Sequence, residues 1–234
     1  MAEGTAHRVP LIVGNNADEG RLFTRFLQLL PTNEPMIEKL FARTDPEERR
    51  RIVAAYPDYP SSAACVQLGG DFAFASATWQ IAEAHSRHAP TYVYRYDYAP
   101  RTLHWAGLGA THAMELLAVF DTYHTSYGAL LTAVGDRASA RRVSRDVQRR
   151  WREFSRSYGA LLTAVGDRAS ARRVSRDVQR RWREFSRTGE PGPGWPVYDS
   201  EDRAVFVFDR SPRVEYDPRA VRRKAWEGFT LAEH

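Results

Sequence analysis

The chain has 234 residues, 43% of them apolar and 12% aromatic, enough to bury a core and too apolar for a disordered chain. Its net charge of +5 invites a nucleic-acid or membrane reading, but no apolar run reaches spanning length. Cys65 is the sole cysteine, which excludes an intrachain disulfide and a cysteine-rich metal site; Met1 to Pro10 holds no secretory-type apolar stretch, so the reading favours the cytoplasm unless a leader precedes Met1.

In chain order, Val9 to Val13 is an apolar run ending at Gly14, consistent with a buried strand. Asn15 to Gly20 is turn chemistry. A helix is expected from about Glu19 to Leu30, with Leu22, Phe23, Phe26, Leu27 and Leu30 as its stripe and Pro31 as its stop. A short helix should include Met36, Ile37, Leu40 and Phe41. Asp45-Pro46-Glu47-Glu48 combines a cap, a first-turn proline and a glutamate three residues on, so a helix should start there and run to Pro57. Gly69 and Gly70 read as a break, with Asp71 capping a helix to about His88. His85 and His88 read as solvated residues at its end, without metal-ligand spacing. Thr91 to Tyr98 reads as a strand with four tyrosines on one face, most simply half-buried packing. Pro100 to Thr111 reads as a loop leading to His112 and the apolar segment Met114 to Phe120. Gly189 to Pro196 is a further loop, and Ala204 to Phe208 a strand. Asp217-Pro218 opens a last helix whose Val221, Ala225, Trp226 and Phe229 should face inward. Strands alternating with helices define an α/β class, helix-rich, in which only about three strands are visible.

Between Phe120 and Gly189 the sequence repeats itself. Ser126 to Arg156 and Ser157 to Arg187 are identical letter for letter. Structural repeat families drift and keep only a pattern, so two identical copies point to a recent tandem duplication or an assembly artefact, one copy being an insertion. Each copy carries eight arginines and three acids, a surplus equal to the whole net charge. The basic character therefore comes from copying. Within each copy a helix is expected, from about Ser139 to Ser155 in the first, with Val143, Val147, Trp151 and Phe154 on one face. Val174, Val178, Trp182 and Phe185 repeat that face in the second copy, and one docking site cannot hold both.

Two segments carry chemistry together. Gly14-Asn15-Asn16-Ala17-Asp18-Glu19-Gly20 directly follows a strand, and His112-Ala113-Met114-Glu115-Leu116 opens the apolar segment that ends in Val119-Phe120. With Trp195-Pro196-Val197-Tyr198 and the preceding Trp151-x-x-Phe154 helix, they resemble the ordered motifs of the type-B carboxylesterase family. The resemblance spans nearly the whole chain except one repeat copy. It implies a partial α/β-hydrolase fold, the C-terminal strands and helices of a mostly parallel sheet. It also implies a serine-esterase context acting on small carboxylic esters, with no cofactor and no metal. In that mechanism an imidazole takes the serine proton, and a carboxylate on its other nitrogen fixes the tautomer and stabilises the cation. The order Ser, then Asp or Glu, then His makes Glu19 the implied acid and His112 the implied base. Glu115 would hold the histidine loop by hydrogen bonds. Read without the resemblance, Glu19 is a first-turn acid favoured by the helix dipole, Asp18 an ordinary cap, and His112 a solvated loop residue.

The first place of the triad is empty. No G-x-S-x-G occurs in the 234 residues, and Ser61, Ser62 and Ser76 lack its strand–turn–helix setting. The resemblance places the serine and the Gly-rich oxyanion segment upstream of the acid turn, so the chain alone is expected to be inactive, with an N-terminal esterase segment, either upstream in a truncated esterase or as a separate partner, supplying both. Trp105 and Phe120 flank the histidine loop and are candidates to touch the acyl or alcohol group. The alternative reading is a non-catalytic basic-helix module that binds nucleic acid or anionic membrane through its duplicated arginines. No aromatic side chain interleaves that basic face for stacking.

Overall fold

Three apolar, β-branched and aromatic runs need cover on both faces, and the chain supplies it by placing helices between them. The computed structural model describes residues 6–25, 29–121 and 168–230. Strand β1 (Leu11–Asn16) pairs in parallel with β2 (Thr91–Tyr96), and β2 in parallel with β3 (Ala204–Phe208). A fourth strand, β4 (Arg213–Tyr216), adds antiparallel to β3, giving the order β1-β2-β3-β4. The sequence did not announce β4: its four residues, RVEY, alternate too briefly to register as a strand.

From β1 to β2 the chain forms α1 (Arg21–Arg25), α2 (Glu34–Phe41), α3 (Pro46–Ala54), α4 (Ser62–Gly70), a π-helical turn (Asp71–Ala75) and α5 (Ser76–Ser86). Asp45 caps α3 as its sequence requires, accepting from Glu47 N and Glu48 N. Of the long first helix expected from Glu19 to Leu30, the structure forms Arg21–Arg25, and Phe26 to Gln28 lie outside the described residues.

The Gly69-Gly70 break is corrected: α4 runs through both glycines into the π turn without interruption. They are there for close approach rather than for bending. A Cβ on Gly69 would sit 2.3 Å from the Pro31 carbonyl oxygen, and one on Gly70 2.8 Å from the Gly20 nitrogen. Asp71 is accordingly no cap. It is buried, accepts from Tyr56 Oη and pairs with Arg219 and Arg222. His85 is not solvated either: its Nε2 meets the Val9 carbonyl at 2.9 Å.

After β2 come α6 (Arg101–Trp105), inside what reads as a loop, and α7 (Met114–Val119). Residues 122–167, which include the first repeat copy and its expected helix at Ser139 to Ser155, lie outside the described residues. The second copy supplies α8 (Arg168–Thr188), with Val174 and Val178 buried and Trp182 and Phe185 packed on the core. The last carbonyls of a helix lack intrahelical partners, and α8 supplies side-chain donors at the end of α7: Ser175 Oγ donates to Ala118 O and Gln179 Nε2 to Val119 O. The last helix is α9 (Ala220–Ala225). Ala225, Trp226 and Phe229 are buried as expected, but Val221 is 71% exposed, because α9 turns Arg222 toward the buried Asp71 and Trp226 into the core, which leaves Val221 on the outer side.

Side chains alternate across the sheet. Tyr92, Tyr96, Phe206 and Phe208 face α7, α8 and Trp195, whose indole donates to Val93 O at 3.2 Å. Val13, Val93 and Val205 face α5 with Tyr198. The tyrosine row is thus core packing. A separate helical core joins Ile37, Phe41, Ile52, Tyr56, Leu68, Trp226 and Phe229. Among the described residues no helix is long and apolar enough to cross a membrane.

Candidate active site

Parallel strands β1 and β2 end at the same edge, in register from Leu11–Thr91 to Asn16–Tyr96, so the turns after them are neighbours. The turn after β1 carries Glu19 and the segment after β2 carries His112. Ala17 N donates to Tyr96 O at 2.9 Å and Asp18 N to Ala110 O at 3.0 Å, while Ala110 N donates back to Asp18 Oδ2 at 3.1 Å. Asp18 is therefore a clasp between the acid turn and the histidine loop, as well as a partner of Arg21. The clasp leaves no room at Gly109: its φ is +57° and a Cβ would lie 2.2 Å from Asp18 Oδ2.

Across 93 residues of sequence, His112 Nδ1 stands 2.7 Å from Glu19 Oε2. Glu19 is buried, whereas the His112 side chain is 39% exposed. The remaining Glu19 oxygen, Oε1, accepts from Asn16 N at 2.7 Å and from Asn16 Nδ2 at 3.2 Å. The imidazole packs against two phenyl rings that also touch each other: its ring centroid lies 4.7 Å from that of Phe74 and 5.4 Å from that of Phe23, and the two phenyl centroids are 5.9 Å apart. Ala113, directly after it, adopts a left-handed φ of 65°, a costly conformation for a residue with a Cβ. It turns the chain so that α7 starts while His112 reaches back to Glu19. Among the described residues no hydrogen bond engages Nε2.

Glu115 comes to the same place by another route. Asn16 Nδ2 donates to Glu115 Oε2 as well as to Glu19 Oε1, so one amide bridges the two carboxyls. Burial, as the largest effect, raises the Glu115 pKa; the Asn16 hydrogen bond works against it and the neighbouring Glu19 adds to it. The His112 pKa is raised chiefly by the hydrogen bond to Glu19, against the desolvation that lowers it. The structure thus brings Glu19, His112 and Glu115 together. It also adds Asn16 and Gly109, which read in the sequence as turn and loop residues, and Asp18, which reads there as a cap. Asn16 was the one to find: it sits inside the Gly14–Gly20 motif, and an amide next to two acids is an apt donor for both.

Two of the three serines that lack the nucleophile setting have structural work. Ser61 Oγ accepts from Ala64 N at the start of α4, and Ser76 Oγ donates to Phe72 O. Trp105 and Phe120 are exposed, at 71% and 50%. Beside the acid turn is a cavity of about 440 Å³, lined by residues including Glu19, Thr24, Val66, Asp71 and Arg219. Among the described residues no cluster of three or more His, Cys, Asp or Glu could hold a metal ion.

A mostly parallel sheet between helices, with an acid and a histidine meeting beyond its strand ends, defines an α/β-hydrolase fold. Solved structures share it: a PNB esterase (TM-score 0.66, 23% identity, 96% of this chain and 39% of that one) and a Geobacillus stearothermophilus carboxylesterase (TM-score 0.64, 25% identity, 97% and 42%). The para-nitrobenzyl esterase of Bacillus subtilis (strain 168) is 25% identical over 230 residues, covering 96% of this chain and 39% of that protein. The model of the carboxylesterase family matches residues 1–226, and the chain belongs to that family. It spans about two fifths of the length of these relatives.

Proposed function

We propose that the chain provides the acid and base of a carboxylic ester hydrolase that works through an acyl-serine intermediate, Glu19 being the carboxylate, His112 the general base and then general acid, and Glu115 a support of the histidine loop. The observation that carries the reading is the His112 Nδ1–Glu19 Oε2 contact of 2.7 Å, made by two residues on different loops.

Each proton has a place in this scheme. Nδ1–H donates to Glu19, which fixes the tautomer with Nε2 bare. Nε2 takes the proton of a serine hydroxyl as its oxygen bonds to the ester carbonyl carbon. The imidazolium so formed is stabilised by the Glu19 carboxylate and returns the proton to the departing alcohol oxygen, leaving the acyl-serine. Water then repeats the sequence, with His112 again as base, and the carboxylic acid leaves. The base must be neutral to act, so the rate should rise with pH through the His112 pKa, which Glu19 sets above the ordinary value.

The serine is assigned to an N-terminal esterase segment, because the 234 residues contain no G-x-S-x-G. An N-terminal esterase segment fits the free edge of β1, which among the described residues is paired on one side only. Nucleic acid is not proposed as a partner, since the basic face of α8 comes from a copied helix.

The test is hydrolysis of a chromogenic short-chain ester. The chain alone should give no turnover above buffer. Joined to a carboxylesterase N-terminal segment bearing G-x-S-x-G, it should turn over, and His112→Ala in that assembly should cost about 10⁴-fold or more. Turnover by the chain alone that a serine-directed phosphonate abolishes would overturn the assignment of the serine to such a segment. Full activity of the His112→Ala assembly would overturn the assignment of the base.

A further inference from the structure

The acid turn is clasped to the histidine loop on one side. On the other it is clasped to the far end of the chain. Arg219, the residue before α9, reaches over the Asp71 π turn, and its Nη2 donates to the Ala17 carbonyl at 2.8 Å. Its Nη1 lies 3.4 Å from Asp71 Oδ1. Its side chain is 12% exposed, Asp71's 5%. Asp71 is itself fixed three ways, by Arg219, by Arg222 at 2.9 Å and by Tyr56 Oη at 2.9 Å; Tyr56 Oη in turn accepts from Trp226 Nε1 at 2.8 Å. Below the turn, Gly20 rests on α4: a Cβ there would lie 2.3 Å from Val66 O. The helical run changes to a π turn where Asp71 points inward, and such turns are frequent at functional sites.

A buried guanidinium with a single carboxylate shared with a second arginine is expensive to keep, and desolvation lowers the Arg219 pKa. For stability alone, an apolar side chain would fill the same space. What the guanidinium adds is a fixed fork that ties the carbonyl two residues before Glu19 to the helical core.

We propose that Arg219 is a positioning residue. Its fork, anchored on Asp71, sets the height of the acid turn so that the Glu19 carboxylate meets the His112 imidazole. This rests on the reading of Glu19 and His112 as the acid–base couple. It makes the segment around α9, remote in sequence from both, part of the support of the site. Arg222 touches Asp71 but not the turn, so it serves as the internal control.

The test follows the His112 ring protons by NMR as pH is varied, in the full chain and its variants. The charged groups facing the imidazole are Glu19 and Glu115, with Asp18 and Arg21 on the acid turn; Asp71 and Arg219 lie beyond Glu19. Glu19→Gln sets the reference, because it removes the acceptor of Nδ1–H. Arg219→Lys keeps the charge but cannot span both acceptors. It should move the His112 midpoint down, part of the way toward the Glu19→Gln value, while Arg222→Lys stays with the parent. Arg219→Gln gives a second reading that also serves if the lysine variant does not fold. Losing a nearby positive charge would by itself raise the midpoint, so a fall there identifies loosening of the turn. A His112 midpoint unmoved in Arg219→Lys, raised in Arg219→Gln, or moved equally by Arg222→Lys would overturn the proposal while leaving the couple intact. If Glu19→Gln itself leaves His112 unmoved, the couple is what fails.

Discussion

Two carboxyls lie near His112, and their surroundings assign them different work. Glu19 receives a backbone N–H, a side-chain amide and the imidazole, donors that stabilise a charged carboxylate. Glu115 receives the same Asn16 amide, but burial pushes its pKa up and Glu19 pushes it further. A like charge nearby and burial both disfavour the charged form, and it is Glu115, not in hydrogen-bond contact with the imidazole, that bears this cost beside Glu19. The His112–Glu19 pair also carries a pH-dependent share of stability. With the folded pKa above the unfolded value, that share is complete below the unfolded pKa of about 6.5 and is lost as pH rises through the folded one. Gly109 is the residue on which the clasp between the two loops is most exposed to change. Gly109→Ala would force a Cβ into a left-handed conformation and into Asp18 Oδ2, breaking the Ala110 N–Asp18 bond. A urea titration should show about 1–3 kcal/mol of lost stability; a loss within 0.5 kcal/mol would mean that the two loops are held by other contacts.

At the level of elements, the sequence was legible where local chemistry and packing agree. The α3 cap formed as spelled, the apolar runs of β2 and β3 became central strands, and the amphipathic face of the repeat docked as its spacing required. It misled where a residue type serves a distant neighbour. Gly69 and Gly70 read as a break because a glycine pair usually is one, yet they are helical glycines pressed against Pro31 and Gly20. Asp71 read as a cap and is the buried anchor of two arginines. No sequence-local signal distinguishes these cases, since the contact lies tens of residues away. The motif around Glu19 and His112 was legible by family resemblance. Their meeting, and the parts played by Asn16 and Asp18, needed the register of β1 against β2. The duplication leads to an expectation about α8. Deleting residues 126–156 or 157–187 yields the same polypeptide, in which one helix with the α8 sequence still precedes the Gly189 turn. That shortened chain should keep its thermal midpoint within a few degrees and lose its basic character. A collapse in cooperativity would mean that the other copy contributes to the core as well.

Over the whole molecule, a sheet covered on both faces carries the site at one end of its parallel strands, where open α/β sheets place their chemistry. Three distant parts of the chain converge there: the turn after β1, the loop after β2, and the residues leading into α9. The fold brings Glu19 and His112 together and, among the described residues, leaves β1 paired on one side only. All of this depends on the couple itself, and the most direct measurement is the titration of His112 in the parent chain and in Glu19→Gln. The account predicts a parent midpoint above the ordinary histidine value of about 6.5 and a clear fall in the variant. A parent midpoint at or below that value, unchanged when Glu19 is replaced, would contradict it.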